Sequence, residues 1–344
     1  MPMIRKAGIV LAAITLLPLA ACGSSDSGGS SGDTGANVTG RGPFSYVQGK
    51  DNSNVVRPLI KKWNADPANK DQQATFIEQS ADANAQLEDL KQHFLAKSTD
   101  YDVVDVDVVW TAEFAANGWL EPLKGDFALD TSSYIPATVD SATYSDTLYA
   151  APQTTDGGIL YYRKDLFPTP PATWDEMTAA CPKADQAGID CYAGQFQKYE
   201  GLTVNVAEAI NTNGGTIVGP DGSTPTVDSP EAAAGLQRLV DGFETGVIPS
   251  DAIQFLETES LNAFETGNLA FMRNWPYAYS LLSGDAGSKV KNTFGMAPLP
   301  GVEGNPGASS LGGHNMGISA YSEVKASAFD FVKFMTSEET EKFY

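Results

Sequence analysis

The sequence predicts an α/β protein of two lobes with a cleft between them. Short strands rich in valine and aromatic residues alternate with segments of helical periodicity, which is typical of βαβ units and a mostly parallel sheet. This pattern occurs twice along the 344 residues. Polar stretches rich in glycine, proline or serine at 151–158, 296–304 and 318–323 predict three passages of the chain between the lobes, as in a hinged clamshell.

The first lobe is predicted from its alternation of strands and helices. Strand 42–50 precedes a helix at 54–65, in which apolar residues such as Leu59 and Trp63 recur at helical spacing. The elements that follow are strand 73–80, helix 84–97, strand 101–110 and a short helix at 112–119 that Gly118 closes.

The second lobe is predicted to begin with two strands within 147–167, separated by the polar break. Helix 172–184 has Thr173 as its N-cap, and helix 229–246 has Ser229 as its N-cap with Pro230 in the first position. The other predicted elements are helix 201–215, a helix, strand and helix within 258–282, strands within 292–301 and 309–319, and a last helix that starts near Glu323.

Charge narrows the range of partners. The chain has 43 acidic and 22 basic residues, a net charge of −21. Such a surface repels nucleic-acid phosphates and anionic lipid, so we expect no nucleic-acid partner. Small neutral or cationic ligands remain possible.

The N-terminus predicts export. Residues 1–21 have a basic start and a short apolar run, as in a signal peptide. The sequence "LAAC" that ends at Cys22 resembles the lipobox of bacterial lipoproteins, which implies a lipidated Cys22. Residues 22–40 then form a flexible tether rich in glycine and serine. We expect the membrane to be contacted through the lipid anchor alone, on the outer face of the cell membrane.

Two further cysteines, Cys181 and Cys191, remain after Cys22. An even number of cysteines in an exported protein predicts a disulfide between them. The only histidines are His93 and His314, which makes a metal site or a thiol enzyme a poor interpretation. We therefore expect no metal and no cofactor.

Acidic residues stand in a strand that is otherwise apolar. The segment "DVVDVDVVW" places Asp102, Asp105 and Asp107 among five valines. A buried carboxylate is costly unless something donates hydrogen bonds to it. Asp105 and Asp107 lie on one side of the strand, because side chains alternate with a period of two.

The motifs resemble those of a known family. The segments are "YDVVDVDVVWTAEFAANGWLEPL", "TTDGGILYYRKDLFPTPPATWDEM", "FETGNLAFMRNWPYAYSLL" and "FGMAPLPG…SSLGGHNMGISAYS". Their order resembles that of the extracellular solute-binding lipoproteins of bacterial ABC sugar importers, the family 1 sugar binders, and in particular the trehalose/maltose-binding branch. The resemblance implies a periplasmic-binding-protein-like type II clamshell with three hinge crossings.

The resemblance also implies domain boundaries. We expect lobe 1 to comprise 41–152 and 298–318, and lobe 2 to comprise 157–294 and 323–344. The family usually continues well beyond a final "FMTSEETEKFY". We therefore expect the C-terminal part of lobe 2 to be truncated at Tyr344.

The resemblance assigns sugar-binding roles to residues of the cleft. Asp107 matches an aspartate at the C-terminal end of a strand that holds sugar hydroxyls, with Asp105 as its rival and Asp102 expected to be structural. Trp275 matches a stacking tryptophan, while Gly312 and Gly313 are expected to let the backbone approach the ligand. The other predicted ligand-binding residues are Asp156, Glu257, His314, Tyr277, Gln48 and Asp51, with Glu259, Arg273, Asn274 and Asn315 as weaker candidates.

The implied function is capture of an α-glucoside disaccharide and its delivery to two membrane permease subunits driven by a cytoplasmic ATPase. We expect a monomer without catalytic residues. Cleft carboxylates and aromatics also occur in secreted glycoside hydrolases, which is the first alternative. A binding protein for a polyamine or a peptide is the second alternative.

Overall fold

The structure is a computed structural model, and it describes residues 40–284 and 286–344. The predicted signal peptide, the lipidated Cys22 and the linker as far as residue 39 lie outside the described residues. The strands are β1 (Phe44–Gln48), β2 (Ala74–Glu78), β3 (Val103–Asp107), β4 (Thr143–Tyr144), β5 (Thr147–Leu148), β6 (Ala150–Gly157), β7 (Ile159–Arg163), β8 (Asp190–Ala193), β9 (Leu269–Asn274), β10 (Phe294–Ala297) and β11 (Leu311–Ile318).

The α-helices alternate with many of these strands, whereas β4 to β7 follow one another directly, as do β10 and β11. They are α1 (Val56–Ala65), α2 (Ala83–Leu95), α3 (Thr111–Ala116), α4 (Pro136–Ser141), α5 (Trp174–Gln186), α6 (Glu200–Thr212), α7 (Pro230–Thr245), α8 (Glu257–Glu265), α9 (Tyr277–Gly284), α10 (Lys325–Met335) and α11 (Glu338–Glu341).

Several helix ends follow from local chemistry. Backbone N–H groups near the start of a helix have no partner within the helix, so a side-chain oxygen before it stabilises the end. Thr173 Oγ1 accepts a hydrogen bond from the N–H of Glu176 at 3.2 Å, and Ser229 Oγ accepts one from that of Ala232 at 3.2 Å. Both predicted N-caps are thereby confirmed. Gly246 ends α7 in the left-handed conformation, with φ of 78°.

The first lobe is built on a five-stranded sheet of order β2-β1-β3-β11-β6. Strands β1, β2 and β3 are parallel, whereas β11 runs antiparallel to both β3 and β6. The buried side chains of Tyr46, Val103 and Met316 form part of a core on this sheet. The carboxyl end of β3 faces the cleft, and ligands of open α/β sheets bind outside such ends.

The second lobe is built on a four-stranded sheet of order β10-β7-β9-β8. Its core contains Tyr161, Phe264 and Phe271, all fully buried. Cys181 of α5 and Cys191 of β8 form a disulfide with Cα atoms 5.1 Å apart. The disulfide predicted from the cysteine count is therefore present.

Within the described residues the chain passes between the two sheets twice. The first passage joins β6 to β7 and lies in the predicted crossing at 151–158. The second lies just before β11, after the predicted crossing at 296–304, because Gly301 still bridges to Thr173 of the second lobe. The prediction for 318–323 was wrong, since this segment joins β11 to α10 within the first lobe.

Two predicted boundaries need correction for the same reason. Segment 298–310 lies with the second lobe, where Leu299 is buried in the core. Helix α10, predicted for the second lobe within 323–344, packs on the first sheet instead. The ring of Phe331 lies 5.0 Å from that of Phe44 and 5.3 Å from that of Trp63, so the apolar face of α10 completes the first core.

None of the helices in the described part of the chain is both long enough and apolar enough to span a membrane.

Candidate ligand-binding site

A cavity of about 450 Å³ lies between the two sheets. This volume is within the range usual for sites of small organic ligands. Eight of the nine predicted ligand-binding residues line it, and Asp51 does not. The eight are Gln48, Asp107, Asp156, Glu257, Trp275, Tyr277, Gly313 and His314.

The floor of the cavity is formed where β3 and β11 pair. Asp107 lies directly opposite His314 in the antiparallel register, at the last residue of β3. Asp105 also lines the cavity, and its carboxylate lies 3.0 Å from His314 Nδ1. Asp107 Oδ1 accepts a hydrogen bond from the N–H of Val109 at 3.1 Å. Of the two aspartates, Asp107 is thus the one that is not paired with His314, and its carboxylate can still accept hydrogen bonds from a ligand.

The charged side chains around the floor shift one another's pKa values. Burial by itself lowers the pKa of His314, but the carboxylates of Asp105, Asp107 and Asp156 outweigh it and raise the pKa to about 10. His314 is therefore an imidazolium at neutral pH, a donor of hydrogen bonds at both ring nitrogens. Burial raises the pKa of Asp107 and of Asp156, and the charge of His314 counteracts part of that rise.

Asp102 is absent from the cavity lining, in agreement with the structural role expected for it. Its carboxylate accepts hydrogen bonds from the N–H of Ser45 at 2.9 Å and from Ser322 Oγ at 2.6 Å. These bonds tie β3 to β1 and to the turn after β11. The first acid of the strand thus serves the fold.

The hinge strands bring Asp156 and two glycines to the cavity. Gly312 pairs with Asp156 across β6 and β11. Gly313 has φ of 118°, a conformation that L side chains rarely adopt, and a Cβ there would overlap the carbonyl oxygen of Thr154. The glycine at 313 is explained by this contact between strands, whereas the sequence suggested close approach to a ligand.

Trp275 forms the wall on the side of the second lobe. It follows β9 directly, and its N–H donates to Asn274 Oδ1 at 2.8 Å, while its carbonyl accepts from Tyr161 Oη at 2.9 Å. The guanidinium of Arg273 lies 3.8 Å from the centre of the indole. A Cβ on Gly312 would lie 2.9 Å from the ring, so only glycine allows the indole to approach the hinge strand this closely.

The first turns of two helices supply further carboxylates. Glu257 begins α8 and Glu200 begins α6, and both line the cavity. Burial, followed by the charges of Asp107 and Glu257, raises the pKa of Glu200 to about 7. Glu200 was missed in the sequence, although an acidic residue at a predicted helix start was a usable signal.

Asp51 is the predicted site residue that the structure places elsewhere. It is 7% exposed, and its carboxylate accepts hydrogen bonds from the N–H groups of Val55 at 3.0 Å and Val56 at 3.2 Å. A carboxylate at a helix N-terminus satisfies free donors and complements the helix dipole. Its prediction as a ligand residue was wrong for that reason. Its neighbour Gln48 lines the cavity and accepts from Tyr46 Oη at 2.6 Å.

The weaker candidates have partners within the protein. Glu259 Oε2 accepts from the N–H of Leu256 at 3.1 Å and caps α8. Asn274 Nδ2 donates to Ser260 Oγ, and Asn315 Nδ2 to Thr111 Oγ1. Arg273 is buried in an ion pair with Glu208. The cavity-lining polar residues that the sequence analysis did not assign to the site are Lys50, Asn52, Gln86, Gln153, Thr154, Glu200, Thr203, Thr258, Ser310 and Tyr344.

Among residues 40–284 and 286–344, no group of three or more His, Cys, Asp or Glu side chains is arranged to hold a metal ion. The cavity instead combines carboxylate and amide oxygens with aromatic side chains, among them the indole of Trp275. Carboxylates are strong acceptors for hydroxyl donors, and an indole face packs against apolar C–H groups. This arrangement suits a small polyhydroxylated molecule.

The fold is that of a type II periplasmic binding protein: it has two lobes, a cavity between them and an antiparallel hinge strand in the first sheet. These features define a solute-binding protein. The chain belongs to the bacterial extracellular solute-binding protein family, whose model matches residues 49–342. The extracellular solute-binding family that the sequence motifs resemble is thereby confirmed. This family consists of binding proteins, not enzymes.

Curated relatives agree with this assignment. A probable ABC transporter-binding protein of Deinococcus radiodurans is 34% identical over 280 residues, which cover 78% of this chain and 66% of that relative. A mannitol-binding protein of Pseudomonas aeruginosa is 28% identical over 254 residues, which cover 69% of this chain and 56% of the relative. The chain thus spans about two thirds or less of the length of these relatives.

Solved structures share the fold. The maltose-bound MalE3 of T. maritima superposes with a TM-score of 0.82 at 32% identity, over 88% of this chain and 78% of that one. The GacH receptor of Streptomyces glaucescens, solved unliganded and with acarbose, has a TM-score of 0.77 at 23% identity, over 88% of this chain and 78% of that one. The second likeness shows the fold alone.

Proposed function

We propose that this protein is the extracytoplasmic sugar-binding component of an ABC importer and that it captures an α-glucoside disaccharide of the trehalose/maltose type. The observation that carries the proposal is the position of Trp275, whose indole faces a cavity lined by Asp107, Asp156 and Glu257. Sugars have hydroxyls around the ring and apolar C–H faces, and this cavity offers partners for both.

The two lobes offer different contacts to such a ligand. Asp107 and the imidazolium of His314 come from the first sheet, and Trp275 and Glu257 come from the second lobe. A sugar that contacts both groups stabilises the closed arrangement of the lobes, because the contacts are complete only when the lobes meet. We propose that this closed form delivers the sugar to two membrane permease subunits coupled to an ATPase.

Relatives support the sugar class more than one particular sugar. The maltose-bound MalE3, at 32% identity, supports an α-glucoside. The mannitol-binding relative, at 28% identity, makes a polyol the first competitor to include in a test.

The test is a thermal-shift screen followed by calorimetry on purified protein. We expect maltose or trehalose to raise the melting temperature, since a ligand at 100 times its Kd stabilises a protein by about 2.7 kcal/mol. Mannitol and spermidine serve as the competitor arms. A response to mannitol alone, or to spermidine alone, contradicts the disaccharide proposal, and turnover of p-nitrophenyl glucoside contradicts the binding-protein proposal.

We also propose that the protein is anchored to the outer face of the cell membrane through a lipid on Cys22. The support is the sequence "LAAC" followed by a flexible tether. Metabolic labelling with a palmitate analogue tests this. We expect the label in the wild type and its loss in Cys22→Ala, and label retained in Cys22→Ala contradicts the anchor.

A further inference from the structure

A buried ion pair lies behind the stacking wall. The side chains of Arg273 and Glu208 are only 1% and 6% exposed. Arg273 Nε donates to Glu208 Oε2 at 2.9 Å, and Arg273 Nη2 donates to Glu208 Oε1 at 2.7 Å. Arg273 Nη1 donates to Gln195 Oε1 at 3.0 Å. The guanidinium is thereby held on two sides in a fixed plane.

That plane supports the indole of Trp275. The guanidinium carbon of Arg273 lies 3.8 Å from the centre of the indole, a cation–π contact in which the planar arginine covers one face of the ring. Neither Arg273 nor Glu208 is among the residues that line the cavity, whereas Trp275 is. The pair therefore lies outside the cavity lining and reaches it through residues that do line it, above all through Trp275.

The same pair touches both passages between the lobes. Glu208 Oε1 accepts a hydrogen bond at 3.1 Å from the N–H of Ser310, which immediately precedes β11. In the other passage, Gly158 lies so close that a Cβ there would overlap the Glu208 carboxylate and stand 2.9 Å from Arg273 Nη2. One ion pair is thus packed against both interlobe crossings and against the stacking residue.

We infer that Glu208 and Arg273 are positioning residues for ligand binding: the pair holds the Trp275 indole at the angle that the closed cleft requires and fixes both interlobe crossings to the second lobe. The inference rests on the proposed function for its ligand but not for its geometry. Sugar affinity depends on the pair although neither residue touches the sugar.

A purely stabilising role does not account for this arrangement. Replacing a buried ion pair by apolar residues of similar size is often neutral or stabilising, so stability alone is weak grounds for keeping two buried charges. A planar guanidinium in a bidentate pair, by contrast, fixes orientation in a way that apolar side chains do not. The expected loss on replacement is therefore in ligand affinity more than in melting temperature.

The experiment compares two variants with a matched control. Arg273→Lys keeps the charge but removes the planar stack, and the double variant Glu208→Leu/Arg273→Met replaces the pair by apolar side chains. The control is Glu121→Gln, which breaks the contact of Glu121 Oε2 with Lys325 Nζ at 2.7 Å in the first lobe, away from the cavity. Melting temperature and the Kd for maltose are measured for each.

A second measurement reports on Trp275 without ligand. Labelling with 5-fluorotryptophan gives one ¹⁹F signal for each of the five tryptophans, and Trp275→Phe assigns the signal of Trp275. We expect both pair variants to shift or broaden that signal in the ligand-free protein and to weaken maltose binding by about 10-fold. We expect Glu121→Gln to lower the melting temperature while the Kd and the Trp275 signal stay unchanged.

The outcomes separate the two proposals. If both pair variants bind maltose with wild-type affinity and leave the Trp275 signal unchanged, the inference is overturned. It is also overturned if neither variant folds, because the pair is then required for folding. A wild type that binds no maltose contradicts the proposed function, while a Trp275 signal displaced in the pair variants still supports the positioning role.

Discussion

Two ion pairs lie on opposite sides of the cavity, and their surroundings differ. His314 and Asp105 belong to the first sheet, and the histidine side chain is 36% exposed where it lines the cavity. Arg273 and Glu208 belong to the second lobe and are sealed behind Trp275. The first pair lines the cavity directly, whereas the second lies outside the lining and supports the aromatic ring of Trp275.

The difference indicates that the two sides of the cavity contribute to ligand binding in different ways. The floor offers hydrogen-bonding groups whose protonation depends on their neighbours, with the pKa of His314 raised to about 10. The wall offers a shaped aromatic surface, because its two charges are buried behind the indole. We expect substitutions in the floor to weaken ligand binding through lost hydrogen bonds, and substitutions in the wall to weaken it through lost stacking.

Removal of the Trp275 indole, which forms the wall, is expected to have the largest effect on sugar affinity. Trp275→Ala deletes the aromatic face while the ion pair behind it remains. Loss of a stacking aromatic from a desolvated pocket weakens binding by about 30- to 1,000-fold. Calorimetry with maltose gives the Kd, and circular dichroism shows whether the variant folds. If the affinity is unchanged, or if the variant unfolds globally, Trp275 is a core residue. The difference proposed between wall and floor is then wrong.

Loss of one floor carboxylate is expected to have the next largest effect. Asp107→Asn keeps the shape but replaces a charged acceptor, and a hydrogen bond to a charged group is worth about 1.5–3 kcal/mol. We expect affinity to fall roughly 10- to 150-fold with little change in melting temperature.

Asp105→Asn is the matched variant for that test, since Asp105 lies on the same side of β3 but pairs with His314 at 3.0 Å. We expect it to lower the melting temperature more than Asp107→Asn and to weaken binding less. The reverse pattern exchanges the roles of the two aspartates, and equal binding in both variants means that the acids of β3 serve the fold alone.

A substitution at Gly312, where the indole of Trp275 packs against β11, is expected to have a smaller effect on affinity. Gly312→Ala places a Cβ 2.9 Å from Cζ3 of Trp275, so the indole must move. Overpacking of this kind costs about 1–3 kcal/mol, and we expect roughly 10-fold weaker maltose binding. Gly284→Ala is the control, because a Cβ there meets nothing within 4 Å. Equal affinity for the two variants shows that the indole tolerates displacement.

The smallest expected effect is on the pH dependence of stability. The pKa of Glu200 is raised from 4.5 to about 7, so the folded protein binds more protons than the unfolded chain in that interval, and stability falls as pH rises through it. Glu200→Gln removes this loss. We expect its melting temperature to exceed that of the wild type by about 2 °C at pH 8 and to match it near pH 4.5.

The exposed Glu303 provides the control for that measurement, since Glu303→Gln changes no buried charge. We expect its melting curve to follow the wild type at both pH values. A melting temperature for Glu200→Gln that is below the wild type at pH 8 shows that the ionised carboxylate stabilises the fold, and the pKa of Glu200 then lies lower.

The sequence alone determined the local structure and most of the residues that meet at the cavity. Alternating apolar patterns located the strands and helices, Thr173 and Ser229 marked two helix starts, and the cysteine count predicted the disulfide. These features depend on contacts within a few residues of the chain or on simple counting. The eight cavity residues followed from motifs whose order reflects the fold.

Only the tertiary structure decided which surfaces meet. Asp51 caps α1, α10 completes the first core, and Arg273 stacks behind Trp275. Each of these outcomes depends on residues brought together by folding, and sequence patterns do not specify which of several apolar faces or hydrogen-bond donors a side chain will meet. The charge of His314 has the same origin, because three carboxylates from two other strands surround it.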